Sequence, residues 1–228
     1  MRNLVFCLCI VTLMASCKPA QTIVYDTDKL KTLEVGNDVN LSFSVQTFGD
    51  IRSESEMNET LFATKQWQAK VNGQQSCINS EVLYKIPVVE QMTAIFAQHL
   101  NKKIPQIRVS TNQKENSDYY LEAKVKHFYG IQKFSTAAAV GAQFGLIGAL
   151  ATANAKTQGT IIIELTDIKV FDKQNNLIAS VGDLRKEYEG EFPADANCLC
   201  IYQNVNQKLR EFNDELIGLL SLEIQNRK

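Results

Sequence analysis

The sequence predicts an α+β fold, in which a mixed or antiparallel sheet carries two helices packed on one face, together with a Gly/Ala-rich helical connector. Three observations lead to this prediction. Several segments alternate apolar and polar residues with the period of two that is typical of half-buried strands. Two other segments repeat apolar residues at helical spacing, so each presents one apolar stripe to a sheet. Residues 134–155, finally, contain no charged residue and are rich in alanine and glycine.

The N-terminal residues have the organisation of a signal peptide. A short basic start, "MRN", precedes the apolar run "LVFCLCIVTLMA", which is too short for a stop-transfer helix. The small residues Ala15 and Ser16 before Cys17 resemble a bacterial lipobox, although Met14 stands where the lipobox leucine is usual. We expect residues 1–16 to be a signal peptide and Cys17 to be lipidated. Ordinary secretion, with Cys17 merely near the cleavage site, and an uncleaved anchor are the alternatives.

The lipobox predicts the compartment. Acyl chains on Cys17 would anchor the protein to a bilayer, and residues 17–36 are polar enough to form a tether. Lys18 follows the cysteine, in place of the aspartate associated with inner-membrane retention in proteobacterial lipoproteins. This resemblance favours the outer membrane, with the protein facing the periplasm.

Residues 37–228 are predicted to form a single α+β domain. The first strand, in "DVNLSFSVQT", places Val39, Leu41, Phe43 and Val45 on one face, and "QWQAKV" is a candidate second strand. Pro87 is suited to the first position of a helix. The apolar residues of that helix recur at helical spacing: Val88, Met92, Ile95, Phe96 and Leu100.

The second half of the domain is predicted to contain four strands and a closing helix. A short strand in "IPQIRVST" precedes "DYYLEAKVKHFYG", in which Tyr119, Leu121, Ala123 and Val125 share a face. The β-branched run "TIIIELTDIKVF" is typical of a central strand, and "LIASVGDLRKEYEGEF" continues in extended structure. The closing helix runs from about Cys200 to Gln225 with the apolar stripe Val205, Leu209, Phe212, Leu216 and Leu219.

The cysteines that follow the signal peptide and Cys17 are Cys77, Cys198 and Cys200. An oxidising compartment permits one disulfide between Cys77 and either member of the C-x-C pair, which leaves one thiol over. Inert thiols, a poor metal site and a redox pair are the alternatives. The C-x-C spacing lacks the C-x-x-C pattern of thioredoxin-like sites.

The charge balance and the motifs exclude several functions. Lysine and arginine (24) nearly equal aspartate and glutamate (25), whereas a nucleic-acid-binding domain needs a basic excess. We therefore expect no nucleic-acid partner. No nucleotide-binding, serine-hydrolase or zinc-protease motif occurs in the sequence. We expect no enzyme activity, no cofactor and no metal site.

A few polar and aromatic residues have alternative interpretations. Glu187, Glu189 and Glu191 alternate along a strand and could bind a cation, but a solvated strand face beside Arg185 and Lys186 is the simpler interpretation. His127 continues the inward face of its strand, where a packed, hydrogen-bonded histidine is more common than a catalytic base. The aromatic residues could line a lipid groove or belong to the core and sheet faces: Trp67, Tyr84, Tyr119 and Tyr120.

The uncharged connector, residues 134–155, is the best candidate for a functional segment. About 20 residues suffice to cross a hydrocarbon core of about 30 Å, but its alanines and polar residues make insertion marginal. As a helix it would present a glycine groove with an adjacent apolar ridge, which allows close helix packing. The residues predicted to make this contact are Val140, Gly141, Phe144, Gly145, Ile147 and Gly148. Self-packing is the preferred interpretation, ahead of membrane contact and of an inert connector over the domain's own core.

The C-terminal half resembles the lipoproteins that accompany ABC-type lipid transporters, the transport auxiliary component family. The resemblance lies in "SDYYLEAKVKHF", in "IIIELTDIKVFDKQNNLIAS" and in "NQKLREFNDELIGLL" of the closing helix. It implies a fold like the N-terminal domain of the Tol-system β-propeller protein. The topology is also similar to that of curli-secretion lipoproteins, which oligomerise and insert hairpins into the outer membrane. Neither type is an enzyme, so the resemblance implies no catalytic residues. The connector, the first strand and the C-x-C loop depart from the auxiliary family.

Two functions follow from these observations. The first is a non-enzymatic envelope lipoprotein that acts as an accessory or scaffold in transport or assembly at the outer membrane. The second is a subunit of an oligomeric secretion channel whose segment 134–155 contacts or enters the bilayer. The expected partners are the membrane, through the lipid anchor, and either another copy of the chain or an envelope protein.

Overall fold

The computed structural model describes residues 41–53, 56, 68–71, 74–79, 84, 86–144, 152, 154–194 and 198–225. The strands are β1 (Leu41–Val45), β2 (Gly49–Asp50), β3 (Gln68–Val71), β4 (Gln74–Ile78), β5 (Ile107–Thr111), β6 (Tyr119–Lys133), β7 (Lys156–Asp172) and β8 (Leu177–Pro193). The helices are α1 (Val88–Lys103), α2 (Thr136–Gln143) and α3 (Cys200–Gln225), with a 3-10 turn at Lys114–Asn116. The signal peptide, Cys17 and the tether predicted from the sequence lie outside the described residues.

The eight described strands form one mixed sheet. The long strands β6, β7 and β8 pair antiparallel in that order. β4 pairs antiparallel with both β3 and the end of β6. β1, by contrast, runs parallel to both β5 and β6. The helices α1 and α3 pack on this sheet and share one hydrophobic core with it. The structure therefore confirms the predicted α+β class with a mixed sheet.

Strand β6 organises the sheet because several short segments occupy one of its edges. β7 pairs along the other edge, from Tyr119 to Gln132. Opposite β7, β1 pairs with the start of β6, β2 with its middle and β4 with its end. In the gap between β2 and β4, a Glu56 carboxylate oxygen accepts a hydrogen bond from the Phe128 amide (2.9 Å), and the amide of Asn79 donates to the Gly130 carbonyl (3.2 Å). Side chains and short strands thus satisfy backbone groups that a continuous strand would otherwise pair.

The core lies between the sheet and the two long helices. The stripe predicted for α1 is buried: Val88, Met92, Ile95, Phe96 and Leu100. In α3, Val205, Leu209, Phe212 and Leu216 are buried as predicted, while Leu219 is partly buried against the core. Helix α3 crosses β6 closely at Gly130, where an added Cβ would lie 2.5 Å from Cγ2 of Val205. A glycine at this position permits that approach.

A partly buried polar contact joins α1 to α3. Nε2 of the fully buried His99 lies 3.2 Å from Oδ1 of Asp214, and Lys103 also forms an ion pair with Asp214. Burial lowers the pKa of His99, against the opposing effect of the Asp214 hydrogen bond. Burial raises the pKa of Asp214, but the hydrogen bonds from Lys103 and His99 outweigh it and leave this pKa below its ordinary value. In this contact burial favours the neutral form of His99, while the hydrogen bonds favour the ionised form of Asp214.

The predicted inward position of His127 is wrong. The alternation holds through Leu121, Ala123 and Val125, which are buried. A register shift between Val125 and His127 then changes the phase of β6. Phe128 takes the inward position and pairs with the core residue Ile163, so His127 lies on the opposite face beside Glu164. The cause is a β-bulge, in which one extra residue reverses the facing of those that follow.

Candidate functional site

The uncharged connector begins with a short helix whose start is capped. The Ser135 hydroxyl accepts a hydrogen bond from the Ala138 amide (3.1 Å), and the Ser135 carbonyl accepts one from the Ala139 amide (3.1 Å). Serine before the first turn is a favoured N-cap. Helix α2 follows directly, so the helical conformation predicted for the connector is present in residues 136–143.

One side of α2 is buried and the other is exposed. Ala138 and Gly141 are buried. Val140 in α2 is 52% exposed, and Phe144, which directly follows the helix and donates its amide to the Gly141 carbonyl (3.0 Å), is 73% exposed. The other predicted contact residues, Gly145, Ile147 and Gly148, lie outside the described residues. Val140 and Phe144 therefore form the exposed apolar surface that the structure places in the connector.

The connector and the start of the domain lie at opposite ends of the sheet. β1 begins at Leu41 and runs parallel to β6, with Phe43 paired to Tyr119, the first residue of β6. Helix α2 follows the other end of β6, after Lys133. β6 has 15 residues, and at about 3.3 Å per residue its two ends are roughly 45 Å apart. Among the described helices, none is both long enough and apolar enough to cross a membrane.

A disulfide joins Cys77 of β4 to Cys198, just before α3, with the Cα atoms 5.2 Å apart. This is one of the two pairings that the sequence leaves open. Both residues are buried, and Cys198 has a positive φ of 61°. Cys200, at the start of α3, is partly buried and is not part of this disulfide. The disulfide ties β4 to the residues that lead into the closing helix.

Two carboxylates flank His127 on the outer face of the sheet, the face opposite the helices. Nδ1 of His127 lies 2.5 Å from Oε2 of Glu56, and its Nε2 lies 3.7 Å from Oε2 of Glu164. Glu56 and Glu164 are buried, whereas the His127 side chain is 28% exposed. The imidazole therefore bridges the segment before β3 to the central strands.

Two cations compensate the buried charge of Glu164. Lys126 donates a hydrogen bond to its Oε1 (2.9 Å), and Arg185 donates one to its Oε2 (3.0 Å). Burial raises the pKa of Glu164, but these two hydrogen bonds outweigh it and hold the pKa below its ordinary value. The carboxylate is therefore ionised and internally paired, an arrangement that fixes strand positions.

The acidic strand face lies where the alternation predicts it. Glu187, Glu189 and Glu191 are exposed on β8, and Glu187 accepts a hydrogen bond from Arg185 (2.9 Å). Lys186 lies on the other face, where its Nζ is 2.7 Å from Oε1 of Glu215. Over the part of the chain that the structure describes, no group of three or more His, Cys, Asp or Glu side chains is placed to hold a metal ion.

The aromatic residues named from the sequence do not come together. Tyr84 is buried and makes an edge contact with Tyr202 of α3. Tyr120 stacks on Phe171 on the outer face, whereas Tyr119 packs against the core. Trp67 lies outside the described residues. These tyrosines belong to the core and to a sheet face, the simpler of the two interpretations.

Sequence reasoning did not identify Glu56 and Glu164 as the partners of His127. For Glu164 a signal was present, because an acid inside the β-branched run "TIIIELT" must be either solvated or paired. For Glu56 there was none, since it lies in a charged segment far from His127 in sequence and meets it only through the fold.

Comparisons with known proteins give similarities of fold. No family model matches the chain, and no curated protein matches it in sequence. A Xanthomonas campestris protein of the family DUF330 is 11% identical, with a TM-score of 0.46, over 91% of this chain and 98% of that one. A PelC dodecamer from Paraburkholderia phytofirmans is 10% identical, with a TM-score of 0.36, over 79% and 87% of the two chains. The uncharacterized lipoprotein B from Nitrosomonas europaea is 9% identical, with a TM-score of 0.32, over 84% and 96%.

Structural similarity at sequence identities of 9–11% concerns the fold alone. With TM-scores below 0.5, these similarities do not assign the chain to a family. The resemblance to transport auxiliary lipoproteins and to the N-terminal domain of the Tol-system propeller protein stays a prediction.

Proposed function

We propose that the protein is a bacterial envelope lipoprotein without enzyme activity, which acts as an accessory or scaffold for transport or assembly at the outer membrane. The observation that carries the proposal is the separation of two ends. The tether enters at Leu41, and the exposed Val140 and Phe144 lie at the other end of β6, roughly 45 Å away.

The tether determines which end lies near the bilayer. In the proposed lipoprotein, a tether with random-coil dimensions between Cys17 and Leu41 would have a root-mean-square end-to-end distance of roughly 25–30 Å. That distance keeps the Leu41 end near an anchor at Cys17. Helix α2 is then directed away from the anchoring bilayer on average, where Val140 and Phe144 are available to a protein partner. Such an arrangement suits a scaffold.

The second candidate is a subunit of an oligomeric secretion channel whose segment 134–155 contacts or enters the bilayer. It is favoured by the 73% exposure of Phe144 within a segment that contains no charged residue. Because α2 lies at the end of β6 away from Leu41, this function requires the domain to lie along the membrane or to reverse its orientation. The fully extended tether would reach about 80 Å at most.

Photo-crosslinking in cells distinguishes the two candidates. A photo-reactive amino acid at Phe144 is expected to yield protein adducts, and the same group at Leu222, 56% exposed on α3, provides the control. Lipid adducts at Phe144 that are absent at Leu222 would favour the channel subunit instead. A monomer by light scattering after detergent extraction would contradict the channel subunit.

The lipid anchor is tested separately. Cys17→Ser is expected to block processing and to release any mature-length protein from the membrane fraction. If processing and membrane attachment were unchanged in Cys17→Ser, the lipoprotein proposal would be wrong, whatever the crosslinking at Phe144 shows.

A further inference from the structure

Strand β8 forms one edge of the sheet and pairs only with β7 among the described strands. From Leu184 to Pro193 its pairing with β7 proceeds without a register shift. On the side away from β7, the backbone groups of residues 178–191 have no hydrogen-bond partner among the residues that the structure describes. A regular row of unsatisfied N–H and C=O groups is a template for an additional strand.

The surroundings of this edge are acidic. Glu187, Glu189 and Glu191 line the outer face of β8, and only Glu187 of the three has an ion-pair partner within the described part of the chain. On the helix-side face, burial and the carboxylates of Glu211 and Glu215 raise the pKa of Tyr188 to about 12. On that face Glu211 and Glu215 are themselves paired with Lys208 and Lys186. The acidic charge without an ion-pair partner among the described residues therefore lies on the outer face, at Glu189 and Glu191, where it favours a cationic partner.

The same charges oppose pairing with a second copy. In a symmetric antiparallel pair with like faces aligned, any register centred between residues 187 and 191 places one glutamate of this row opposite another. Like charges directly opposite each other in a sheet are destabilising. The acidic row thus disfavours these registers of self-pairing, while it leaves the edge open to a strand of opposite charge.

We propose that the β8 edge, residues 184–191, binds an extended segment of another polypeptide that carries lysine or arginine at alternate positions. The segment would add to the sheet as a ninth strand, with main-chain hydrogen bonds to β8 and with its basic side chains opposite Glu187, Glu189 and Glu191. This interaction surface goes beyond the proposed scaffold function and does not depend on the lipid anchor or on α2.

A fluorescent peptide with lysine and threonine at alternate positions serves as the probe, with binding to the purified full chain followed by anisotropy. We expect saturable binding, together with slower amide hydrogen exchange at residues 184–191. The variant Glu189→Gln/Glu191→Gln is expected to weaken binding roughly three- to ten-fold, as the loss of two exposed ion pairs would. Glu90→Gln/Glu115→Gln, which alters the net charge equally at exposed sites off β8, is expected to leave binding unchanged.

N-methylation of the peptide tests the strand geometry. Methyl groups on alternate amides are expected to abolish binding in one register and to spare it in the other, because only alternate amides face β8. Equal binding by both methylated peptides would show attraction of charge without strand addition and would overturn the proposal. It would equally be overturned if the parent peptide failed to bind, or if the chain alone formed dimers that protect β8.

Discussion

Replacing both Cys77 and Cys198 by alanine is expected to reduce the free energy of unfolding by about 5 kcal/mol. The two residues are 121 positions apart in sequence. In the chain-entropy model, a loop of this length restricts the unfolded chain by about 5 kcal/mol at 25 °C. Domains are stable by only about 5–15 kcal/mol in total, so the change removes about a third or more of that stability.

Urea unfolding in non-reducing buffer measures this difference, and Cys200→Ala provides the matched control with the disulfide intact. The parent in reducing buffer should behave like the double variant. Mass spectrometry of proteolytic fragments should recover the Cys77–Cys198 peptide pair. A double variant within about 1 kcal/mol of the parent would refute the loop-closure reasoning, and a Cys77–Cys200 pair would refute the connectivity.

Three further predictions concern packing and charge. Gly130→Ala places a methyl group 2.5 Å from Val205 Cγ2 and should destabilise the protein by about 1–3 kcal/mol. Gly218→Ala, whose Cβ would meet nothing within 4 Å, should stabilise α3 by up to about 1 kcal/mol; equal effects of the two changes would contradict the packing argument. Glu164→Gln should cost about 1–3 kcal/mol at neutral pH. Because the folded pKa of Glu164 is lowered, this cost should shrink as the pH falls below the ordinary carboxyl pKa of 4.5, and a cost that does not vary with pH would exclude ionic pairing. Because the folded pKa of His99 is lowered, the unfolded chain binds its proton more readily, and stability is lost as the pH falls through 6.5. His99→Gln should flatten that part of the stability profile measured by urea unfolding, and an unchanged slope would assign the loss to other groups.

The regular elements were predictable because their patterns are local. The stripe of α3 and the β-branched run of β7 each determine one structure whatever surrounds them. β4, by contrast, consists of "QQSCI", which has little strand character of its own. It is a strand because the end of β6 offers a free edge. Beside the bulge before His127, the Phe128 amide donates a hydrogen bond to the Glu56 carboxylate, and no local pattern reveals such a partner.

The candidate site was predictable in extent but not in orientation. The absence of charge in residues 134–155 is visible in the sequence, and so is the glycine spacing. Which side of α2 faces the protein depends on the packing of Ala138 and Gly141, which the sequence does not specify. The acidic row on β8 followed from alternation alone, whereas its position at a sheet edge required the topology.

The parallel pairing of β1 bears on how the chain matures. Leu41 pairs with Ile107, and Phe43 pairs with Tyr119, while β4 pairs with the end of β6 and Cys77 bonds to Cys198. During synthesis from the N-terminus, β1 has no described partner in the sheet until β5 has been made, and the β3–β4 pair joins the sheet only once β6 is complete. The core closes only when α3 arrives. Contacts so distant in sequence form slowly. Slow folding of this kind is compatible with export as an unfolded chain, the route that the signal peptide proposed for residues 1–16 implies.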